Sequence, residues 1–66
     1  MRKYVKVYLI KKFIKKKGLS KTGFCKLCGI SYGAFMKIIK NDWSFRITEL
    51  FKIAMVMDVE VFELLY

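Results

Sequence analysis

The stretch SKTGFCKLCGISYGAFMKIIK, residues 20 to 40, constrains this chain more than any other. Ser20 and Ser31 are each suited to open a helix, because a serine hydroxyl accepts a hydrogen bond from a backbone N–H that the first turn leaves unpaired. Gly29 comes just ahead of Ser31, where a chain leaving one helix for another needs a left-handed residue. The spacing predicts helices over 21–28 and 32–40 joined by a tight turn, that is, a helix-turn-helix over residues 20–40. Phe24 and Cys28 on the first helix are expected to face Phe35 and Ile38 on the second. Cys25 is small enough for the point where the helices touch, and Ile30 plugs the core beneath the turn.

The flanks also have helical spacing. In residues 4 to 17, YVKVYLIKKFIKKK, the apolar residues Val7, Ile10, Phe13 and Ile14 recur at three and four, and lysines fill the remainder. A helix is expected there, stopped by Gly18. The opening YVKVY is β-prone, which leaves its first turn open. Residues 41 to 45 read as a loop. Ile47, Leu50, Phe51, Ala54 and Met57 space a helix over 47–57, and residues 60 to 65 make a last short one with Val61, Leu64 and Leu65 inward. Five short helices and no strand make the expected fold all-α, a compact bundle in a single domain over residues 1–66.

Charge divides the chain unevenly. Residues 1 to 40 carry twelve basic side chains and no acid, and residues 41 to 66 carry two basic and five acidic ones, which together make the net +9. Such a block suits a polyanion, either nucleic acid or an anionic membrane surface. A basic amphipathic stretch such as 5–17 can lie on lipid, but the helices that follow claim its apolar stripe as core. No run approaches the roughly 18 apolar residues of a membrane span. VYLI falls short of the about 7–15 residues of a signal peptide's apolar segment. A cytoplasmic protein with reduced thiols is expected. Catalysis is not: the chain has no histidine, and its acids are scattered over the last third without a nucleophile–base or paired-carboxylate pattern.

Cys25 and Cys28 form the one Cys-x-x-Cys of the chain. Structural zinc takes four ligands, and two cysteines without histidine do not supply them within one copy. A thioredoxin-type pair follows a strand, and none precedes this helix. The cysteines are therefore read as small apolar packing residues, and no metal or cofactor is expected.

In their order and spacing these pieces resemble a known family. GLS (18–20), the small Cys25, Gly29, IS (30–31), FRITELFKIA (45–54) and VMDVEVFELL (56–65) are similar to the corresponding parts of Cro and lambda-repressor-like (XRE-type) helix-turn-helix DNA-binding domains. The chain departs from that pattern at Lys21, where glutamine is common, and at Gly23 and Lys26, where acids are. It also departs at Gly33, a common base-reading position, and at Arg46, where serine often caps the fourth helix. The resemblance implies that residues 32–40 enter the major groove of double-stranded DNA, N-terminal end first. Ser31, Tyr32, Gly33, Met36 and Lys37 would then face bases, with Lys37 placed for guanine O6 and N7, and Tyr32 and Met36 for thymine methyls. Ser20, Lys21, Thr22, Lys26, Lys40, Asn41, Ser44 and Arg46 would face phosphates, which suit hydroxyls, cations and helix N-termini. No arginine, asparagine or glutamine stands on the base-facing side, so phosphate contacts are expected to dominate affinity. Trp43, in the loop, is expected to pack over the core edge rather than meet a sugar.

The expected function is that of a DNA-binding, repressor-like transcriptional regulator, working as a homodimer with recognition helices about 34 Å apart. Apolar residues, at 56%, exceed what one small domain readily hides, and the end VFELLY points to a dimer through the C-terminal helix. The alternative is a helix-turn-helix scaffold that binds another protein and little or no specific DNA, because fold does not dictate function.

Overall fold

The computed structural model describes residues 4–66; Arg2 and Lys3 of the basic half lie outside them. Four α-helices, α1 (Val7–Lys16), α2 (Lys21–Cys28), α3 (Tyr32–Ile39) and α4 (Ile47–Met57), are followed by a 3-10 turn, Val61–Leu64.

All four α-helices stop in the same way. The residue past each end (Gly18, Gly29, Asn41 or Asp58) has a left-handed backbone, with φ of 66°, 72°, 56° and 57°. The following N–H then reaches back into the last turn, Leu19 to Ile14, Ile30 to Cys25, Asp42 to Lys37 and Val59 to Ala54, at 2.9–3.1 Å. This Schellman closure satisfies carbonyls that a helix end otherwise leaves unpaired. Gly18 and Gly29 adopt the geometry without a Cβ clash, and Asn41 and Asp58 are the short polar types that tolerate it best. Leu19, Ile30 and Val59, the residues just beyond three of these ends, pack on the core and so turn those three stops into hydrophobic contacts.

The helix starts differ. Ser20 and Ser31 accept the Gly23 and Ala34 N–H groups at 3.0 and 3.1 Å, as their positions predict. Arginine has no acceptor to offer at Arg46. There the Glu49 carboxylate accepts the Arg46 N–H at 3.4 Å, which is the reciprocal half of a capping box.

These ends set α2 against α3 and lay α4 across both. Phe24 and Phe35 are fully buried at the centre. Phe24 meets Phe13 of α1 and Phe35 edge-on, with ring centroids 5.9 and 5.8 Å apart. Such contacts add about 0.5–1.5 kcal/mol each beyond the area they bury. Ile10, Ile14, Ile38, Leu50, Ile53 and Leu64 close the core around them. Cys25 and Cys28 are buried in it, as packing residues should be. Burial pushes both thiols above their ordinary range, that of Cys28 to about 11, with repulsion from Cys25 as the lesser cause.

Several expectations change. The first helix begins at Val7, not at residue 4, because Val5 is buried in an antiparallel bridge with Leu65. Lys6 N–H to Leu64 C=O at 2.7 Å and Tyr66 N–H to Tyr4 C=O at 3.1 Å complete that seam. For the same reason there is no fifth α-helix: the segment is a single 3-10 turn, and Leu65 is extended (φ −110°, ψ 146°) to pair with Val5. The third helix ends one residue early, at Ile39. In α4 the buried face is Leu50, Ile53 and Ala54, while Ile47 and Phe51 stay about half exposed. Trp43 does not pack over the core and is 77% exposed. The Asp42 carboxylate accepts the Ser44 N–H, and the Asp42 carbonyl the Phe45 N–H, both at 3.0 Å. That tight turn puts Trp43 at its tip and Phe45 against the core instead. Leu64 is buried, and Val61 and Leu65 pack beside it, so much of VFELLY completes the monomer rather than an interface. Among the described residues no helix is long and apolar enough to cross a membrane.

Candidate nucleic-acid interface

The α2–α3 corner leaves the first turn of α3 at the surface. Ala34, Phe35 and Ile38 turn inward, so Ser31, Tyr32, Gly33 and Lys37 are exposed. Met36 is half-buried against the core, so this expected base contact is partly committed to packing. The Tyr32 ring leans on Phe35, 6.2 Å between centroids. A Cβ at Gly33 would meet nothing within 4 Å, so the fold does not require glycine there and the surface at that point is open.

The turn over 42–45 brings the start of α4 back beside α3. Ser31, Gly33, Ala34 and Lys37 from one side, and Ser44, Arg46 and Glu49 from the other, line a single open hollow of about 370 Å³. Three residues expected at bases (Ser31, Gly33, Lys37) and two expected at phosphates (Ser44, Arg46) are thus brought together. The Ser31 oxygen already caps α3, but its O–H remains free to donate. The hollow holds two cations and one carboxylate, that of Glu49. Asp42 adds a second acid nearby. Hydrogen bonds from the Ser44 N–H and hydroxyl, then the charges of Lys37 and Lys40, hold its carboxyl below the usual range, so it stays ionised. The two acids temper the cationic character of this face.

The other expected phosphate residues lie in different places. Ser20 and Lys21 rim a second groove of about 390 Å³ with Lys11 and Lys15 of α1, over a floor that includes Ile14 and Phe35. Lys15 belongs to the lysine run 15–17, which the sequence leaves open between DNA and water; Lys11 carries no such signal of its own, although a spacing of four puts the two on one helix flank. The Thr22 hydroxyl stands 3.3 Å from that of Ser20. Lys26 is exposed on α2. Lys40 and Asn41 border a third hollow, beside Tyr8 and Tyr66. Asn41 is largely engaged elsewhere: its Oδ1 accepts the Tyr4 and Val5 N–H groups at 2.8 and 2.6 Å, and its Nδ2 donates to the Val5 carbonyl at 3.1 Å. One amide hydrogen remains for any other partner.

No protein-family model matches this chain, and no curated protein matches it.

Proposed function

We propose that the chain is a DNA-binding regulator of helix-turn-helix type that lays α3, N-terminal end first, in the major groove of double-stranded DNA. The observation that carries this reading is the hollow at the start of α3, where Ser31, Gly33 and Lys37 converge with Ser44 and Arg46. In this reading Lys37 addresses base edges, while Ser44 and Arg46 take a phosphate of the flanking strand. Ser20, Lys21, Lys11 and Lys15 take the backbone from the α1–α2 groove. Asp58, Glu60 and Glu63 line a separate groove at the far end of α4 from Arg46, away from the phosphates. Each copy offers one recognition helix, α3. Successive major grooves on one face of DNA lie about 34 Å apart, so reading two of them takes two copies.

Trp43, the one tryptophan, is exposed beside Ser44 and serves as the reporter. Titration with mixed-sequence duplex DNA at roughly 50 mM salt should shift its emission, with affinity falling by orders of magnitude towards roughly 200 mM as counterions compete for phosphate. If a folded chain shows no binding at the lower salt, the reading fails. The protein-binding scaffold then takes its place, favoured by the apolar side chains exposed along α4.

A further inference from the structure

Tyr8 and Tyr66 stand at the surface, 58% and 67% exposed, and duplex binding through α3 makes no use of them. They line one open hollow of about 310 Å³ together with Lys11, Ile39, Lys40 and Asn41. α1 brings Tyr8 and Lys11 to it, three residues apart and so on one helix flank, along which Lys12 and Lys15 are also exposed. The end of α3 supplies Ile39 and Lys40. The seam with Val5 holds Tyr66 in place, because its N–H donates to the Tyr4 carbonyl at 3.1 Å. The Lys6 Nζ lies over that ring, 5.7 Å from its centroid. Among the described residues no acid lines this hollow. Two exposed aromatic rings among lysines present flat apolar faces and positive charge at one place.

We infer that this hollow is a stacking site for an unpaired nucleic-acid strand, which lays a base on the tyrosine rings and its flanking phosphates on Lys11 and Lys40. A base and a tyrosine ring are both flat and apolar on their faces, and they stack whatever the sequence. In a duplex the neighbouring base pairs already cover those faces, so the rings select a strand whose bases are free. The lysines supply the charge that its backbone needs. Asn41 keeps one amide hydrogen beyond those it spends on the seam, and it can donate to an acceptor on a base edge. An anionic lipid surface would also meet the lysines. The apolar residues of α1, however, pack on the core and leave no stripe to insert. The site does not depend on duplex binding. It lies at the other end of α3 from Ser31 and Gly33, and Lys11 alone also lines the groove given above to the duplex backbone.

Fluorescence anisotropy of a labelled thymidine dodecamer at roughly 50 mM salt should show binding by the intact chain. An abasic dodecamer, which has the same phosphates and no bases, should bind at least about fivefold more weakly, the low end of what one stacked base contributes. Tyr8→Ala and Tyr66→Ala should each bring the thymidine strand towards the abasic level and leave the abasic strand unchanged. Tyr8→Phe keeps the ring and should bind as the parent does. Both side chains are exposed, and circular dichroism checks each fold. If a variant fails to fold, the comparison of the two strands on the parent chain decides alone. Duplex DNA is titrated separately: a chain that ignores duplex yet prefers the thymidine strand to the abasic one refutes the α3 reading and keeps this one. Equal affinity for the two strands overturns the proposal, as does an equal loss in Tyr8→Ala and Tyr8→Phe. Thymidine mononucleotide that displaces the strand at equal nucleotide concentration also overturns it, since the hollow would then hold a small ligand rather than a strand.

Discussion

Replacing Asn41 with alanine separates a structural role from a DNA contact at a single position. The Asn41 amide ties the loop after α3 to residues 4 and 5 through three hydrogen bonds. The one to Tyr4 is exposed, and the two to Val5 are part-buried. At about 0.5–1.5 kcal/mol net for each, with the exposed bond at the low end, their loss costs about 2–3 kcal/mol. Alanine also tolerates the left-handed backbone (φ 56°) less well than asparagine, which adds about 1 kcal/mol. The total, about 3–4 kcal/mol, compares with a stability of only about 3–10 kcal/mol expected for a domain of this length. At about 4–8 °C per kcal/mol, the Tm should fall by at least about 12 °C. Asn41→Gly isolates the hydrogen bonds, because glycine accepts the backbone angle, and it should cost about 1 kcal/mol less than alanine. Urea and thermal unfolding followed by far-UV circular dichroism measure both variants. Duplex titration at a temperature where every variant is folded supplies the second readout, and affinity should stay within about threefold of the parent, the change a surface substitution of about 0.5 kcal/mol makes. A variant with near-parental stability and a large loss of DNA affinity would refute the clamp and return Asn41 to the phosphates.

Other substitutions probe the hollow and the core. Lys37→Ala should weaken binding by about tenfold or more and relax base preference, as loss of one base contact does; an equal loss on every duplex would assign Lys37 to phosphate. Glu49→Gln keeps an oxygen for the Arg46 N–H and removes the carboxylate charge from the hollow. Duplex affinity at low salt should then rise about threefold, the scale of one screened charge, and unchanged affinity would mean that phosphate does not sit there. Cys25→Ala with Cys28→Val should keep the fold and its DNA binding without zinc or reductant. The same variant tests thiol burial through pH. Because the folded-state value of Cys28 is raised from 9.0 to about 11, its contribution is complete below pH 9 and is lost as pH rises towards 11. The parent should lose on the order of 2 kcal/mol relative to the double variant across that window, with no difference in slope below it. Comparing the two chains cancels the titration of the lysines, and a flat difference would show that the thiol is not desolvated.

The parts of this fold legible in the sequence are those written in local chemistry. Ser20, Gly29 and Ser31 act on backbone groups within a few residues, and they place α2 and the start of α3 correctly. Pairings between distant residues leave no such local signal. The β-prone YVKVY leaves Val5 open between helix and extended chain until Leu65 is known to lie beside it, and Asn41 reads as a loop residue until its amide is seen on Val5. On α4 the spacing placed Leu50 and Ala54 in the core but missed Ile53 and included the exposed Ile47 and Phe51, for another reason. Ile47, Leu50, Phe51, Ile53, Ala54, Met55, Val56 and Met57 leave the helix apolar on almost every side, so spacing alone selects no phase. In the site, the convergence of Ser31, Gly33 and Lys37 with Ser44 and Arg46 depends on the Asp42 turn, a short-range device. The contribution of Lys11 and Lys15 depends on where α1 settles against α2, which no local pattern states.

The seam between Val5 and Leu65 also has a kinetic side. α2, α3 and α4 follow one another along the chain and touch directly, so their contacts close short loops at small entropic cost and are the natural nucleus. The seam closes the longest loop in the molecule and gains little until the helices hold its two strands close. Weakening it, for instance by Val5→Ala, should leave the refolding rate almost unchanged and accelerate unfolding. The residues that join the two ends would then govern how long the native state survives, while the helix-turn-helix governs how quickly it is found.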